Sequence, residues 1–290
     1  MNERILVIGG SSMLSAFFLK NTQSRGVITL QSNRDPSFGR VFDVTNKTSL
    51  DSELDQIKPT VILNFAAATN VDWCETNIQG AYTANCLIPQ LLNAWMNDQH
   101  HSPYLVQIST DQIYDSDLSE HAREDQPNPT NVYGLTKLLG EQFCAQQNAC
   151  TLRTNFFGKS LAKKNSFTDW IYDSIQTNQK ITGFSDIHFS PIHYSTLVEC
   201  IDIAIAERLT GVFNTGSSGG ISKYEFIRSF ADQVGHTDYP VAERTSDHAV
   251  DLVKRPKNMM MDSSKIFSII GKSQPNIEQE IWSASREYQI

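Results

Sequence analysis

Short, unbroken apolar runs alternate with amphipathic stretches through the first half of the chain. Ile5-Leu-Val-Ile8 is a continuous apolar run of the kind found in strands buried on both faces. It empties into Gly9-Gly10-Ser11-Ser12-Met13-Leu14-Ser15 and then the helical pattern Ala16-Phe-Phe-Leu19. Val27-Ile-Thr-Leu30 predicts a second strand, Leu50 to Ile57 an amphipathic helix, and Thr60-Val-Ile-Leu-Asn-Phe65 a third strand. A long helical stretch from Glu75 to Asn97 follows, with an interruption expected at Pro89. Tyr104-Leu-Val-Gln-Ile108 and Thr151-Leu-Arg-Thr154 predict a fourth and a fifth strand, separated by a helix that starts after Asn131.

Strands and helices alternating at this rhythm predict an α/β fold built on a doubly wound parallel sheet of Rossmann type, because parallel neighbours need crossover helices. From Phe156 the pattern loosens. Helices are expected over 165–175, 195–207 and from Ser222 to Val234, the last opened by the capping box Ser222-Lys-Tyr-Glu225, and strands over 180–184 and 211–214. The expected organisation is a dinucleotide-binding domain over 1–160, with parts of 196–213 returning to it, and a smaller, mainly substrate-binding lobe over 161–290.

Composition narrows the functional classes. A chain of 290 residues with 40% apolar content can bury a substantial core. A net charge of −8 argues against nucleic acid or an anionic membrane surface as a general partner. No stretch approaches the roughly 20 apolar residues of a membrane span. Five cysteines without a Cys-x-x-Cys pair suggest reduced thiols and a cytoplasmic location, with no metal site.

The chemistry-bearing residues cluster at predicted strand ends, where open α/β sheets bind ligands: Gly9, Ala66, Thr110 and Asn155. The strand, glycine turn and helix over 5–19 offer backbone amides to a pyrophosphate, although serines stand at 12 and 15 where the usual fingerprint has glycine. The second strand is followed by Gln31-Ser-Asn33-Arg34 with no acidic residue, which favours NADPH over NADH, because Arg34 can take a 2′-phosphate. Tyr133 and Lys137, four apart, share one helical face, so the ammonium can lower the phenol pKa. A hydroxyl at the end of a neighbouring strand, Thr110, can hold a carbonyl oxygen that such a tyrosine protonates. Lys254-Arg255-Pro256-Lys257 is the densest basic cluster in the second half and reads either as a solvated loop or, on an acidic chain, as a group that can meet substrate phosphates.

In sum of order and spacing, the chain resembles the extended short-chain dehydrogenase/reductases and, within them, the dTDP-4-dehydrorhamnose reductase group. The resemblance runs through Gly9-Gly10-Ser-Ser-Met-Leu14, Asp43-Val-Thr45, Asn64-Phe-Ala-Ala-Ala-Thr69, Val71-Asp72 with Glu75, Asn85, Ser109-Thr-Asp111, Asn128-Pro129, Asn131-Val-Tyr-Gly134, Lys137 with Gly140-Glu141, Leu152-Arg-Thr154, Ser190-Pro191, Tyr224-Glu-Phe226, and Arg255-Pro256 with Asp262. It implies NADPH-dependent reduction of a 4-keto group on a nucleotide-linked deoxysugar, with Thr110, Tyr133 and Lys137 catalytic. The implied cofactor contacts are Gly9, Ser11, Ser12, Met13, Leu14, Asn33, Arg34, Asp43, Val44, Ala66, Ala67, Ala68, Ser109, Tyr133 and Lys137. Thr110, Asp111, Asn155, Phe156 and Arg255 are implied on the substrate side, and a homodimer is an expected assembly. Two other readings are a 4,6-dehydratase or epimerase, and a non-catalytic NADP-binding regulatory subunit such as one relative of the group provides for methionine adenosyltransferase. Gln112, an amide where the dehydratases look like Thr-Asp-Glu, weighs against the first. An intact trio weighs against the second.

Overall fold

The computed structural model describes residues 3–22, 27–31, 40–41, 43–117, 121–145, 148–248 and 253–289. Asn33 and Arg34, on which the 2′-phosphate expectation rests, lie outside the described residues. The chain forms two compact units, one of residues 1–109, 132–152 and 201–212, the other of 110–131, 153–200 and 213–290.

Each apolar run of the first unit becomes a strand because its side chains have no polar face to present to water. β1 (Ile5–Ile8) and β4 (Val61–Asn64) are buried at every position, as is β5 (Tyr104–Thr110). Between them come α1 (Met13–Asn21), β2 (Val27–Gln31), the short β3 (Arg40–Val41) and α2 (Lys47–Ile57). α3 (Val71–Thr76), α4 (Ile78–Tyr82) and α5 (Ile88–Asn97) follow β4, α6 (Val132–Gln142) follows β5, and β6 (Ala149–Thr154) comes after α6. β3, β2, β1, β4 and β5 pair in parallel. With β11 (Gly211–Thr215) and β6 they make a seven-stranded sheet of order β11-β6-β5-β4-β1-β2-β3. Leu6, Ile8, Ile62 and Leu105 pack with Leu50 and Leu54 of α2 and Leu92, Trp95 and Met96 of α5.

The expected interruption at Pro89 is not where the helical stretch breaks. The chain breaks at Asn77, whose backbone leaves the helical region (φ −130°, ψ 59°), and resumes as α4. A π-helical turn over Thr83–Leu87 then leads directly into α5, and Pro89 sits in the first turn of that helix. The helix is continuous through this proline, and the π turn just before it is where a helix accommodates the missing N–H and the ring.

The second unit holds β7 (Phe156–Phe157), α7 (Phe167–Gln176), β8 (Ile181–Phe184), β9 (His188–Phe189), β10 (Ile192–His193), the start of α8 (Tyr194–Ala206), β12 (Ile221–Ser222), α9 (Lys223–Gln233), β13 (Val241–Arg244), β14 (Asn258–Met259), α10 (Ser264–Ile270) and α11 (Ile277–Ser285). β12, β9 and β14 form a small sheet, and Phe157, Phe189, Phe226, Phe230, Ile171 and Ile281 belong to its own apolar core. The Ser222 capping box is present, with Glu225 N–H donating to Ser222 Oγ at 3.1 Å and Ser222 N–H to Glu225 Oε2 at 3.0 Å. A boundary near residue 160 leaves 110–131 in the first part, yet this segment falls in the second unit. The physical reason is its backbone pairing: Ser116 N–H donates to Asn258 O, Ala122 N–H to Met260 O and Asp262 N–H to Ala122 O.

Candidate active site

In the first unit β1 ends on Gly9, whose φ of +91° only glycine adopts without strain. A Cβ there would stand 2.6 Å from Ala66 N, so the β1 and β4 exits meet backbone to backbone. The serines of the fingerprint behave differently from one another. Ser12 has an ordinary extended backbone (φ −71°, ψ 154°) and caps α1, its Oγ accepting from Ser15 N–H at 3.1 Å. Position 12 therefore needs no glycine. Ser15 is fully buried, and its Oγ has no hydrogen-bond partner among the described residues, so only its small size is used. The first-turn amides of α1, at Met13 and Leu14, are the groups a helix leaves for an anion.

Asp43 closes a local turn, its Oδ1 accepting from Thr45 N–H at 2.9 Å and Thr45 Oγ at 2.6 Å, which holds its carboxyl below the usual range. The Val44 side chain lies wholly inside the core, leaving only its backbone for a ligand. Beyond β4, Ala66, Ala67 and Ala68 are half-buried. Ala66 N–H donates to Asn64 Oδ1 at 3.2 Å. Asn85 grips Ala68 from both sides: its Oδ1 accepts from Ala68 N–H at 2.8 Å and its Nδ2 donates to Ala68 O at 3.1 Å. The same Nδ2 donates to Thr136 Oγ1 on α6 at 3.1 Å. One amide thus ties the alanine loop to the helix that carries Tyr133 and Lys137.

α6 is seated by two further contacts. Glu75 Oε2 accepts from Val132 N–H at 3.0 Å, placing a carboxylate at the helix N-terminus where the macrodipole favours it. Gly140 lets the helix press on the π-helical turn, since a Cβ would stand well inside contact distance of Asn85 O. On this helix Tyr133 is buried against Cys74 and Ala81. Lys137 is 4% exposed, and its Nζ donates to Ile108 O at 2.6 Å, at the end of β5. Burial pulls the ammonium down to about 8, opposed by the nearby Glu141 carboxylate. Glu141 is itself buried and accepts a hydrogen bond from Ser109 Oγ.

In the second unit, Thr110 and the Asp111–Ile113 turn make a compact polar group. Thr110 Oγ1 accepts from Gln112 N–H at 3.1 Å and donates to Asp111 Oδ1 at 3.3 Å. Asp111 is 1% exposed, and its Oδ2 accepts from Asn155 Nδ2 at 2.7 Å. Burial pushes its carboxyl up to about 6, with Lys223 and Asn155 working the other way. Gln112 Oε1 accepts from Asn131 Nδ2 at 3.3 Å, and its Nε2 is spent on the weak acceptor Met259 Sδ at 3.0 Å. Phe156 is half-buried and tilted against Tyr194, ring centroids 5.3 Å apart. Arg255 is half-buried, with Nη1 donating to Val253 O at 2.8 Å. Its neighbour Lys257 is engaged by Asp247 at 2.7 Å and Asp186 at 3.4 Å, so the basic cluster is partly neutralised within this unit.

Lys223 escaped the sequence reading, which took Ser222-Lys-Tyr-Glu225 only as a helix start. Its role depends on Phe189 and Asp111, and neither is near it in sequence.

Comparison with known proteins places this geometry in context. The chain is 30% identical over 264 residues to a dTDP-4-dehydrorhamnose reductase of Aggregatibacter actinomycetemcomitans, covering 85% of this chain and 87% of that protein. It is 24% identical over 299 residues to methionine adenosyltransferase 2 subunit beta of Mus musculus, covering 97% and 88% respectively. The crystal structure of dTDP-4-dehydrorhamnose reductase from Bacillus anthracis str. Ames in complex with NADP shares the fold, with a TM-score of 0.87 at 23% identity over 99% of this chain and 100% of that one. Residues 3–290 match the RmlD substrate binding domain family, and the chain belongs to that family.

Proposed function

We propose that this protein is an NADPH-dependent reductase of a nucleotide-linked 4-ketosugar, with dTDP-4-dehydrorhamnose, named for its 30% identical relative, as the first candidate substrate. The observation that carries the reading is Lys137, a buried ammonium held by a main-chain carbonyl one helical turn after Tyr133. Burying a charge is costly, and an ammonium kept four residues from a buried phenol favours the phenolate.

The residues of the first unit fit a dinucleotide. Gly9 and the small Ala66 and Ala67 let a pyrophosphate approach the first-turn amides of α1. When bound, NADPH supplies the hydride. Tyr133 gives its phenol proton to the forming alkoxide, and Lys137 eases that transfer by favouring the phenolate left behind. Ser109 and Glu141 position Lys137, and Asn85 positions the alanine loop. Thr110 orients the substrate carbonyl through its hydroxyl, and Asp111, Asn155, Phe156 and Arg255 serve the sugar nucleotide.

Gln112 weighs against a dehydratase, because its amide is bonded to Asn131 and Met259 and carries no acid. The test is a panel of nucleotide 4-ketosugars with NADPH and NADH, followed by loss of the reduced cofactor. Turnover with NADPH supports the reductase. NADPH binding with no ketosugar reduced would leave the regulatory-subunit reading in its place.

A further inference from the structure

Lys223, the first residue of α9, is the unexplained group of the second unit. Its Nζ lies 3.2 Å from the centroid of the Phe189 ring and 5.0 Å from that of Phe167, so its ammonium is seated on aromatic faces. Among the described residues its ammonium has no hydrogen bond and no ion pair, which leaves three strong donors without an acceptor. The charge is nevertheless held near Asp111: Gln112, the next residue, donates to Met259, whose strand neighbour Phe189 carries the ammonium, and the Asp111 carboxylate accepts from Asn155 and Thr110. The two opposite charges are thus close enough to feel one another and do not touch. Lys223 is half-buried, and desolvation lowers its pKa to about 8 with Asp111 opposing, so the ammonium keeps its proton at neutral pH.

We propose that Lys223 is a substrate-contacting, specificity-determining residue that donates to a neutral oxygen substituent of the sugar, held between its ammonium and the Asp111 carboxylate. The inference rests on the ketosugar-reductase reading and deepens it. Asp111 directly follows Thr110, the residue assigned to the reacting carbonyl. The substituent read by the pair is therefore the hydroxyl on the carbon next to that carbonyl, which donates to Asp111 and accepts from Lys223. Charge decides between a neutral and an anionic group. Lys223 and Asp111 already balance, so a carboxylate or phosphate placed between them would leave a net negative charge in a desolvated place. A hydroxyl satisfies both partners and adds none. Sites that hydrogen-bond a substrate hydroxyl reject the analogue lacking it, since their own polar groups are then left unpaired.

The test compares the wild type with Lys223→Met, which keeps an unbranched stem for the Phe189 and Phe167 faces. The ligands are dTDP-4-dehydrorhamnose and its 3-deoxy analogue. Nucleotide-sugar binding is measured by calorimetry without cofactor, and kcat and KM separately with NADPH. The expected result is an affinity for the hydroxylated sugar weakened about 10- to 100-fold, carried mainly by KM. Affinity for the 3-deoxy analogue should change less than about threefold, with NADPH affinity unchanged and Tm not lowered. Lys223→Arg should recover part of the loss. Equal losses on both sugars, or no loss on either, would overturn the assignment. So would tighter binding of a sugar carrying a carboxylate at that carbon. If the wild type binds the nucleotide sugar without reducing it, the reductase reading fails while the binding ratio still decides the role of Lys223; if it binds neither sugar, both fail.

Discussion

Gly140→Ala is the substitution for which two general rules give opposite answers. Glycine inside a helix costs about 1 kcal/mol relative to alanine, so propensity predicts a more stable protein. The structure predicts the reverse. The new methyl would overlap the main-chain oxygen of Asn85 and come within 3.3 Å of its carbonyl carbon. Relief requires α6 and the π-helical turn to separate by roughly 1 Å. Overpacking of this kind costs about 1–3 kcal/mol. The same movement stretches the Asn85–Thr136 bond and loosens the Asn85 grip on Ala68, each bond worth about 0.5–1.5 kcal/mol. Subtracting the propensity gain leaves a net loss of roughly 1–4 kcal/mol. For a chain of this size, with an unfolding entropy of about 0.6 kcal/mol/K, that lowers Tm by about 2–7 °C. Because α6 carries Tyr133 and Lys137, kcat/KM should fall together with Tm. Differential scanning calorimetry and NADPH oxidation on the same preparation measure both. A Gly140→Ala protein with unchanged or raised Tm would refute the close seating of α6 on the π turn.

Lys137 gives a pH prediction with a definite sign. The group titrates near 10.5 in the unfolded chain and near 8 in the folded one, so the cost of burying its charge is fully present below pH 8. That cost, at most about 3 kcal/mol, is relieved as pH rises from 8 to 10.5. Lys137→Met should therefore be more stable than wild type to urea at pH 7.5, by a margin that shrinks towards pH 9.5, while turnover collapses; a margin independent of pH would contradict the buried charge. The fingerprint serines give a second contrast. Ser12→Gly should cost only a few tenths of a kcal/mol and keep NADPH affinity, Ser12→Ala about 1 kcal/mol as the α1 cap is lost, and Ser15→Ala should be neutral or stabilising because it removes an unpaired buried hydroxyl. Urea melts and fluorescence titration with NADPH check these, and a Ser15→Ala protein destabilised by more than Ser12→Ala would show the two roles reversed.

Much of the fold was legible because the signals are local. Ile5–Ile8 and Val61–Leu63 are apolar runs too short for helices and too apolar for surface, and they became central strands. The Ser222 box predicted the start of α9 to the residue. Where the reading failed, the deciding interaction was distant in sequence. Pro89 looked like a breaker because the π turn before it leaves no pattern in composition. The segment 110–131 sits in the second unit through pairings with residues 258–262, more than a hundred positions away. The candidate site divides in the same way. Tyr133 and Lys137 announce themselves by spacing, whereas Lys223 acquires its meaning from Phe189 and Asp111 once the chain is folded.

Tyr133→Phe isolates proton donation, because it removes one oxygen from a buried ring and leaves the packing against Cys74 and Ala81 in place. The measurement is single-turnover reduction of dTDP-4-dehydrorhamnose by enzyme saturated with NADPH, alongside the NADPH dissociation constant. The expected result is an unchanged dissociation constant and a rate lower by about 10²- to 10⁴-fold, the worth of a positioned proton donor. A Tyr133→Phe protein that reduces the ketosugar at the wild-type rate would contradict it.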